Sequence, residues 1–280
     1  MKLTILVDNN TLIDRYFFGE PGVSYFIEDE NKRILFDVGY SDLFIKNAQK
    51  LKINLLNLDF LVISHGHTDH TGGLESLIKL HTEAISEKLD IKKPTVIAHP
   101  EAFLTKTVYG LPEVGSLISG EKLSRHYQMK LNKKPIWITD KIVFLGEIER
   151  KNDFEAKFPI GKIIKSNSIE DDFLWDDSAL VYKSENGLVI ITGCSHSGIC
   201  NIIEYAMKVC NDDRIIDVIG GFHLLNPSQK KMQGTLDYLK KQNLKKMHAC
   251  HCTDLESKIA LSKIVRIKEV GVGLKLNYEL

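Results

Sequence analysis

Four side chains that commonly bind metal ions lie within one short segment, residues 65–70, which reads His-Gly-His-Thr-Asp-His. The segment follows an apolar run typical of a buried strand. In an extended chain every second side chain points to the same side, so His65, His67 and Asp69 would face one point, and the turn into a following helix would bring His70 beside them. Four ligands exceed what one tetrahedral ion takes from one loop, so we predict two neighbouring ions.

Solvent-exposed loop histidines would be the alternative explanation for this segment. The chain has 10 histidines in 280 residues. At that frequency, three histidines and an aspartate at fixed spacing arise by chance in roughly one chain per thousand. The internal position behind an apolar run also argues against an affinity tag. The pattern therefore favours a metal site.

Two ions held by His and Asp need about six protein groups, so further ligands must come from distant parts of the chain. The candidates are His196 and His251, each of which follows an apolar stretch, and His223 as a third. Asp37 ends another apolar stretch and could accept a hydrogen bond from a ligating imidazole, which would fix the ring nitrogen that meets the metal. The alternative for Asp37 is an ordinary Asp-x-Gly turn.

The five cysteines offer thiol groups, but none stands in a Cys-x-x-Cys pair. Cys250 and Cys252 flank His251, and in an extended segment both would face away from the side to which His251 points, into packing. Cys200 and Cys210 fall within one predicted helix, where we expect them in the core. For Cys194, two residues before His196, the sequence favours neither role.

The elements that must position these residues alternate between strands and helices, which indicates α/β layering. In the first eighty and the last hundred residues, the pattern predicts strands near 2–7, 23–28, 33–37, 59–64, 179–183, 188–192, 215–220 and 245–249, and helices near 41–51, 73–80, 198–209, 228–241 and 253–263. In both halves a strand leads through a loop to His-Thr-Gly or His-Ser-Gly at a helix start. The halves therefore look like duplicated units, although strand–loop–helix units resemble one another in general.

The stretch from about 81 to 175 differs in composition from these two halves. It holds five of the seven prolines and several basic clusters, and its strands are predicted near 95–98, 136–138 and 142–145. We predict one domain over 1–280, with a small α+β subdomain inserted at about 81–175.

Composition argues against several classes of protein. Lys and Arg together number 37, as do Asp and Glu, so the formal net charge is zero, which gives no reason to expect an obligatory nucleic-acid or anionic-membrane partner. No apolar run approaches the roughly 20 residues of a membrane span, and the N-terminal apolar stretch is too short for a secretory signal. We therefore expect a cytoplasmic protein with a small-molecule substrate. The sequence leaves the oligomeric state open.

These residues together resemble the metallo-β-lactamase superfamily, whose fold is a four-layer αβ/βα sandwich with a dinuclear site at one edge of its two sheets. Residues 37–39, Asp-Val-Gly, are similar to its first motif, and residues 65–70 to its His-x-His-x-Asp-His signature. The resemblance implies that one ion is held by His65, His67 and His196, and the other by Asp69, His70 and His251. The family usually has an Asp that bridges both ions, and residues 221–223, Gly-Phe-His, occupy its place here. His223 would replace that Asp on one ion or contact substrate instead.

Within the superfamily, residues 146–150, 193–199 and 221–224 resemble a branch named 7,8-dihydropterin-6-methyl-4-(β-D-ribofuranosyl)aminobenzene 5′-phosphate synthase. Many members of that branch are described only as metal-dependent hydrolases. Glu147 and Arg150 in the first of these segments are candidates for substrate contacts. The alternative for both is a solvated charged turn.

The expected activity is hydrolysis, by a metal-activated hydroxide, of a small anionic ester, phosphodiester, thioester or lactone. Asp69 would orient the hydroxide, and His223 would protonate the leaving group. We expect two divalent ions, Zn²⁺ first, with Mn²⁺ or Fe²⁺ as alternatives that the same ligands suit. Three other functions stay open: a dihydropterin synthase that joins a pterin to an aryl phosphoribosyl partner in a methanopterin-like pathway, an RNA- or DNA-processing nuclease, and a non-catalytic metal-stabilised binding protein.

Overall fold

The computed structural model describes residues 1–242 and 244–278, which form two large β-sheets and one small sheet with helices around them. The strands are β1 (Lys2–Val7), β2 (Ser24–Asp29), β3 (Lys32–Phe36), β4 (Phe60–Val62), β5 (Thr95–Ala98), β6 (Thr105–Thr107), β7 (Gln128–Leu131), β8 (Ile136–Trp137), β9 (Ile142–Phe144), β10 (Gly161–Lys165), β11 (Ser168–Asp172), β12 (Ala179–Ser184), β13 (Gly187–Thr192), β14 (Ile215–Gly221), β15 (Met247–Cys250) and β16 (Lys275–Asn277). The helices are α1 (Leu43–Lys50), α2 (Thr68–Thr71), α3 (Leu74–Ser86), α4 (Gly120–Ser124), α5 (Ile199–Cys210), α6 (Gln229–Lys241) and α7 (Leu255–Ser262).

Each large sheet combines antiparallel hairpins with a run of parallel strands. The seven-stranded sheet has the order β16-β1-β2-β3-β4-β5-β7, and its strands from β3 to β7 are parallel neighbours. The six-stranded sheet has the order β15-β14-β13-β12-β9-β8, and β13, β14 and β15 are parallel. The loops after the carboxyl ends of β4, β13, β14 and β15 contain the candidate metal ligands.

The side chains of each sheet alternate between two cores. In β3, Phe36 joins the cluster between the two sheets, whereas Leu35 packs on the helical side. In β13, Val189 and Ile191 lie between the sheets, and Ile190 faces the helices. A strand buried on both faces is a continuous apolar run in the sequence, which is why β13 could be predicted.

Helices cover the outer face of each large sheet. Phe44 of α1 and Leu77 of α3 pack on the seven-stranded sheet, and Ile202 of α5 and Leu239 of α6 pack on the six-stranded sheet. The order helix, sheet, sheet, helix is the four-layer αβ/βα sandwich predicted from the sequence, so the fold class is confirmed. Over residues 1–242 and 244–278, no helix combines the length and the apolar character that crossing a membrane requires.

Several elements differ from the sequence prediction. The strand predicted at 59–64 ends earlier, because β4 stops at Val62 and the chain then bends into the loop that carries His65. The sequence did not indicate β6, β7, β10, β11 or α4. The strands β10 and β11 are polar and largely exposed, so they lack the apolar periodicity from which strands are predicted.

We predicted an inserted subdomain at about 81–175, but parts of this stretch belong to the two large sheets. The strands β5 and β7 continue the seven-stranded sheet, because Val96 of β5 pairs with Leu61 of β4 and the same register extends to β7. The strands β8 and β9 form one edge of the six-stranded sheet. Within the described residues, the separate part of this stretch is the three-stranded sheet β11-β10-β6.

Candidate metal centre

The candidate ligands meet at one edge of the two large sheets. His65 and His67 lie in the loop after β4, while Asp69 and His70 belong to α2. His196 follows β13, and His251 comes directly after β15. Polar residues beyond the carboxyl ends of parallel strands meet at the same sheet edge. The structure therefore brings together six side chains from positions 65 to 251 of the sequence.

Three imidazoles form the first ligand set: His65, His67 and His196. His65 Nε2 lies 3.2 Å from His67 Nδ1, and the His196 ring centroid is 4.7 Å from that of His65 and 4.8 Å from that of His67. An ion with tetrahedral nitrogen ligands at ordinary bond lengths separates those atoms by about 3.3 Å. The first set therefore has the spacing of groups around one ion.

The second ligand set consists of Asp69, His70 and His251. Asp69 Oδ2 lies 3.5 Å from His70 Nε2 and 3.1 Å from His251 Nε2. The ring centroids of His65 and His70 are 4.2 Å apart, so the two sets adjoin. This geometry suits two neighbouring ions with three protein ligands each.

His196 gives an independent indication that the site holds a cation. Only 8% of its surface is exposed, and neither ring nitrogen bonds to another of the described residues. Buried polar groups without partners cost free energy, and nearly all of them in native proteins are satisfied. A metal ion would supply the missing partner.

A single buried carboxylate, Asp37, orients imidazoles of both sets. Its Oδ2 accepts from His70 Nδ1 at 2.7 Å and from Ser64 Oγ at 2.7 Å, and Ser64 Oγ lies 2.9 Å from His65 Nδ1. With these bonds formed, His65 and His70 each direct Nε2 towards the site. Hydrogen bonds of this kind fix the tautomer of a ligating histidine.

Two residues that follow β1, Asp8 and Asn9, orient the ligand His251. His251 Nδ1 lies 2.8 Å from Asn9 Oδ1, and its backbone N–H donates to Asp8 Oδ1 at 3.0 Å. His251 has a positive φ of 47°, so the chain turns there. Because of that turn, the two cysteines that flank His251 do not point in the same direction. Cys250 faces away from the site and lies 3.3 Å from the Tyr25 hydroxyl, but Cys252 does not follow the alternation of an extended strand.

Cys252 lies on the site side instead. Its Sγ is 3.3 Å from the Cys194 carbonyl oxygen and 3.2 Å from the His223 backbone nitrogen. The prediction that Cys252 points away into packing was therefore wrong, because it assumed an extended segment. Cys200 and Cys210 both join the core beneath α5, as predicted.

Cys194, for which the sequence favoured neither role, lies among the candidate ligands. Its Sγ lies 3.2 Å from His70 Nε2 and 3.2 Å from His251 Nε2. It also forms a cluster with His65 and His196 in which the donor atoms lie within 4.8 Å of one another. The signal in the sequence is its spacing, because Cys194 precedes His196 by two residues, just as His65 precedes His67.

Burial and nearby charge shift histidine pKa values in opposite directions in the two ligand sets. Burial lowers the pKa of His67 to about 4 and holds those of His65 and His196 well below the ordinary value. Burial also opposes charge on His70, yet Asp69 and Asp37 raise the pKa of His70 to about 9. Without ions, the first set is neutral and ready to coordinate, whereas His70 is protonated beside Asp69 and must lose that proton to coordinate a metal.

His223 lies beside the first ligand set. Its ring centroid is 4.3 Å from that of His196, and its backbone carbonyl accepts a hydrogen bond from Lys231 Nζ at 2.7 Å. The donor clusters found among the described residues consist of other side chains. This position suits a group that contacts substrate better than it suits a fourth ligand of the first ion.

The side chains of Glu147 and Arg150 both contact other residues of the protein. Glu147 Oε2 lies 3.2 Å from His99 Nε2 and 3.2 Å from Lys133 Nζ. Arg150 donates to the Leu174 carbonyl at 2.8 Å, and its guanidinium lies 4.1 Å from the centre of the Trp175 ring. These contacts hold loops together, and substrate contact by either residue stays a prediction.

A groove of about 630 Å³ opens onto the metal centre. His67 and Asp69 form part of its wall, and apolar side chains including Tyr40, Leu111 and Leu117 line the rest. Apolar pockets with a few convergent polar groups are typical sites for small molecules. The groove therefore offers a substrate access to the ligands without any rearrangement.

Comparison with known proteins gives the family. The metallo-β-lactamase superfamily model matches residues 18–94. A 7,8-dihydropterin-6-methyl-4-(β-D-ribofuranosyl)-aminobenzene-5′-phosphate synthase of Methanocaldococcus jannaschii is 32% identical over 275 residues, which cover 92% of this chain and 89% of that protein. An uncharacterised protein of the same organism is 33% identical, with 94% of each chain covered.

Comparison with solved structures indicates the same superfamily. Tm1679, described as a metal-dependent hydrolase of the β-lactamase superfamily, superposes on 99% of this chain with a TM-score of 0.82 and 29% identity, and 98% of that chain is covered. The sandwich fold, the ligand loop and these similarities agree. This chain belongs to the metallo-β-lactamase superfamily and is an enzyme of that superfamily.

Proposed function

We propose that this enzyme is a hydrolase that holds two divalent ions and acts on a small anionic ester, phosphodiester, thioester or lactone. The observation that carries the proposal is the pair of adjoining ligand sets, His65, His67 and His196 beside Asp69, His70 and His251, with their atoms at the spacing of coordinated groups. Zn²⁺ suits these ligands, and Fe²⁺ and Mn²⁺ are alternatives. Bound divalent ions supply Lewis acidity and lower the pKa of a coordinated water towards neutrality.

The protein's own groups have separate tasks in this scheme. Asp69 lies between His70 and His251 and faces the groove, so its carboxylate is placed to orient an attacking water. His223 is placed beside the first set, where its imidazole can donate a proton to the leaving group. The apolar wall of the groove excludes bulk water from one side of the substrate.

A second candidate function is favoured by one specific observation. The relative that is 32% identical is named as a dihydropterin synthase, and a planar ring would pack well against Tyr40 and the leucines of the groove. In that case the enzyme would join a pterin to an aryl phosphoribosyl partner. Product analysis in ¹⁸O-labelled water separates the two functions: label in the product indicates hydrolysis, and a condensed pterin product indicates a synthase.

Replacing His67 or Asp69 with Ala tests the metal-dependent scheme. We expect each variant to lose turnover by about 100-fold or more, together with bound metal, because loss of a ligand exceeds the effect of losing an outer hydrogen-bond partner. Turnover would be measured on a panel of phosphodiesters, thioesters and lactones, and metal by elemental analysis. His126→Ala is the matched control, because His126 is an exposed histidine. Full turnover in either ligand variant would contradict the proposed function.

A further inference from the structure

Each ligand set supplies three donors, whereas a tetrahedral ion takes four. In a catalytic site water or substrate fills the open position, but two neighbouring ions also need a group between them to offset their mutual repulsion. No carboxylate that could lie between the ions stands at the carboxyl end of β14, whose last residue is Gly221. A Cβ at Gly221 would lie 2.6 Å from the Gly193 carbonyl oxygen and 2.7 Å from Cys252 Sγ, so a carboxylate side chain cannot be accommodated there.

The sulfur of Cys194 occupies the space between the two sets. On one side it lies 3.2 Å from both His70 Nε2 and His251 Nε2. Once His70 has lost its extra proton, both of these nitrogens are acceptors, because the Nδ1 atoms of the two rings lie against Asp37 and Asn9. One thiol has one proton, so it satisfies only one of the two acceptors. A cation that binds a thiolate and both nitrogens satisfies all three groups.

The same sulfur also reaches the first set. The donor atoms of His65, Cys194 and His196 all lie within 4.8 Å of one another, and the buried His196 ring has no hydrogen-bond partner among the residues described. Cys194 thus completes a four-donor cluster with Asp69, His70 and His251 and shares a second cluster with His65 and His196. Cys194 therefore has donors of both sets around it, and so does Asp69, which also clusters with His65 and His67.

The local chain conformation holds the sulfur in this place. Ser195 has a positive φ of 62°, and its hydroxyl donates to the Gly221 carbonyl at 2.6 Å. The turn at Ser195 directs both Cys194 and His196 towards the histidines that follow β4. Gly193 packs so closely against Ser64 that a Cβ at this position would overlap Ser64 Oγ. The loop after β13 is therefore pressed against the loop that carries His65.

We propose that the Cys194 thiolate is a metal ligand shared by the two ions, in the position where the chain has no room for a bridging carboxylate. The proposal rests on the two-ion site of the proposed function. A thiolate bridge makes the centre softer than six His and Asp ligands would, so it favours Zn²⁺ or Fe²⁺ over Mn²⁺.

X-ray absorption at the zinc edge tests the bridge in the unaltered protein. We expect a Zn–S shell at about 2.3 Å beside the shorter Zn–N and Zn–O shell, with two ions per chain. Absence of the sulfur shell from a two-zinc protein would overturn the bridge and leave the proposed function intact. A wild-type protein that binds fewer than two ions would overturn both.

Variants then assign the sulfur to Cys194. In the Co²⁺-substituted protein we expect Cys194→Ser to lose the near-ultraviolet sulfur-to-cobalt band and to retain only one tightly bound ion. Cys194→Asp is expected to regain two ions without that band, because a carboxylate also bridges. Cys210→Ser is the matched control, since Cys210 lies in the core beneath α5 and belongs to neither ligand set, and this variant should keep both the band and the metal content. A band that survives in Cys194→Ser would overturn the assignment.

Discussion

At the scale of single residues, the ligand loop could be predicted and the residues behind it only in part. His65, His67, Asp69 and His70 are recognisable because four metal-binding types within six residues are rare in a sequence. His196, His251 and Asp37 were found because each follows an apolar strand. Cys194 was left unassigned because cysteine is common in cores, and only the fold shows that its sulfur lies between the histidines.

Asp177 is a buried carboxyl that belongs to no motif recognisable in the sequence. Its Oδ2 accepts from the Ser197 backbone N–H at 2.9 Å and from the Ser197 hydroxyl. Burial raises the pKa of Asp177 to about 6, whereas an unfolded chain has Asp at about 3.9. As pH rises between these values, the unfolded chain loses its proton first, so the free energy of unfolding falls by about 3 kcal/mol across the window.

Replacing Asp177 with Asn removes that titration and keeps an acceptor for Ser197. Compared with the variant, the wild-type protein should lose about 2 kcal/mol of unfolding free energy between pH 4 and pH 6.5, because the rest of the change falls outside this interval. Urea unfolding of metal-free protein at both pH values measures the difference. Asp171→Asn serves as the control, because Asp171 is exposed. Parallel pH profiles for wild type and Asp177→Asn would show that the carboxyl is not buried in its charged form.

At the scale of elements, the buried ammonium group of Lys106 connects the small sheet β11-β10-β6 to the metal centre. Lys106 of β6 binds Asp172 at 3.1 Å and Asp176 at 2.9 Å, and only 1% of its surface is exposed. The other oxygen of Asp176 accepts from the Gly66 backbone N–H at 2.8 Å, within the ligand loop. These polar strands escaped prediction because they depend on tertiary ion pairs, whereas β13 needed only its apolar pattern.

Lys106→Met should destabilise the fold strongly, because it leaves two buried carboxylates without their cation. We expect a loss of about 3–5 kcal/mol in the free energy of unfolding, measured by urea denaturation. Lys162→Met provides the comparison, since Lys162 pairs with Asp171 at 2.8 Å on the exposed face of the same sheet, and exposed pairs contribute about 1 kcal/mol or less. Equal effects of the two substitutions would argue against a structural role for the buried cation.

At the scale of the whole molecule, one core joins the two sheets. Tyr25 and Phe36 from the seven-stranded sheet pack in the same cluster as Phe144 and Leu180 from the six-stranded sheet. Binary patterning predicted the α/β layering from the central strands, which are apolar on both faces, and the resemblance to the metallo-β-lactamase superfamily implied the four-layer sandwich. It did not predict that β5 and β7 extend the first sheet, since the proline-rich texture of residues 81–175 resembled an insertion.

Phe144→Ala should weaken both halves of the molecule together. We expect a loss of about 3–5 kcal/mol, as for other buried Phe residues. Far-UV circular dichroism and tryptophan fluorescence should report the same midpoint in wild type and variant, because the two sheets share the core. Phe158→Ala is the control, because Phe158 is 84% exposed and should change stability by about 0.5 kcal/mol at most. Separate midpoints for the two signals would indicate that the sheets unfold independently.

The contact of His251 with Asp8 and Asn9 ties the metal centre to the order of protein synthesis. Asp8 and Asn9 leave the ribosome long before their partner, which is made 242 positions after Asn9. The complete ligand set exists only after translation has passed residue 251. A nascent chain that has not reached residue 251 can hold at most part of its metal complement, so full loading of the centre must follow the synthesis of that residue.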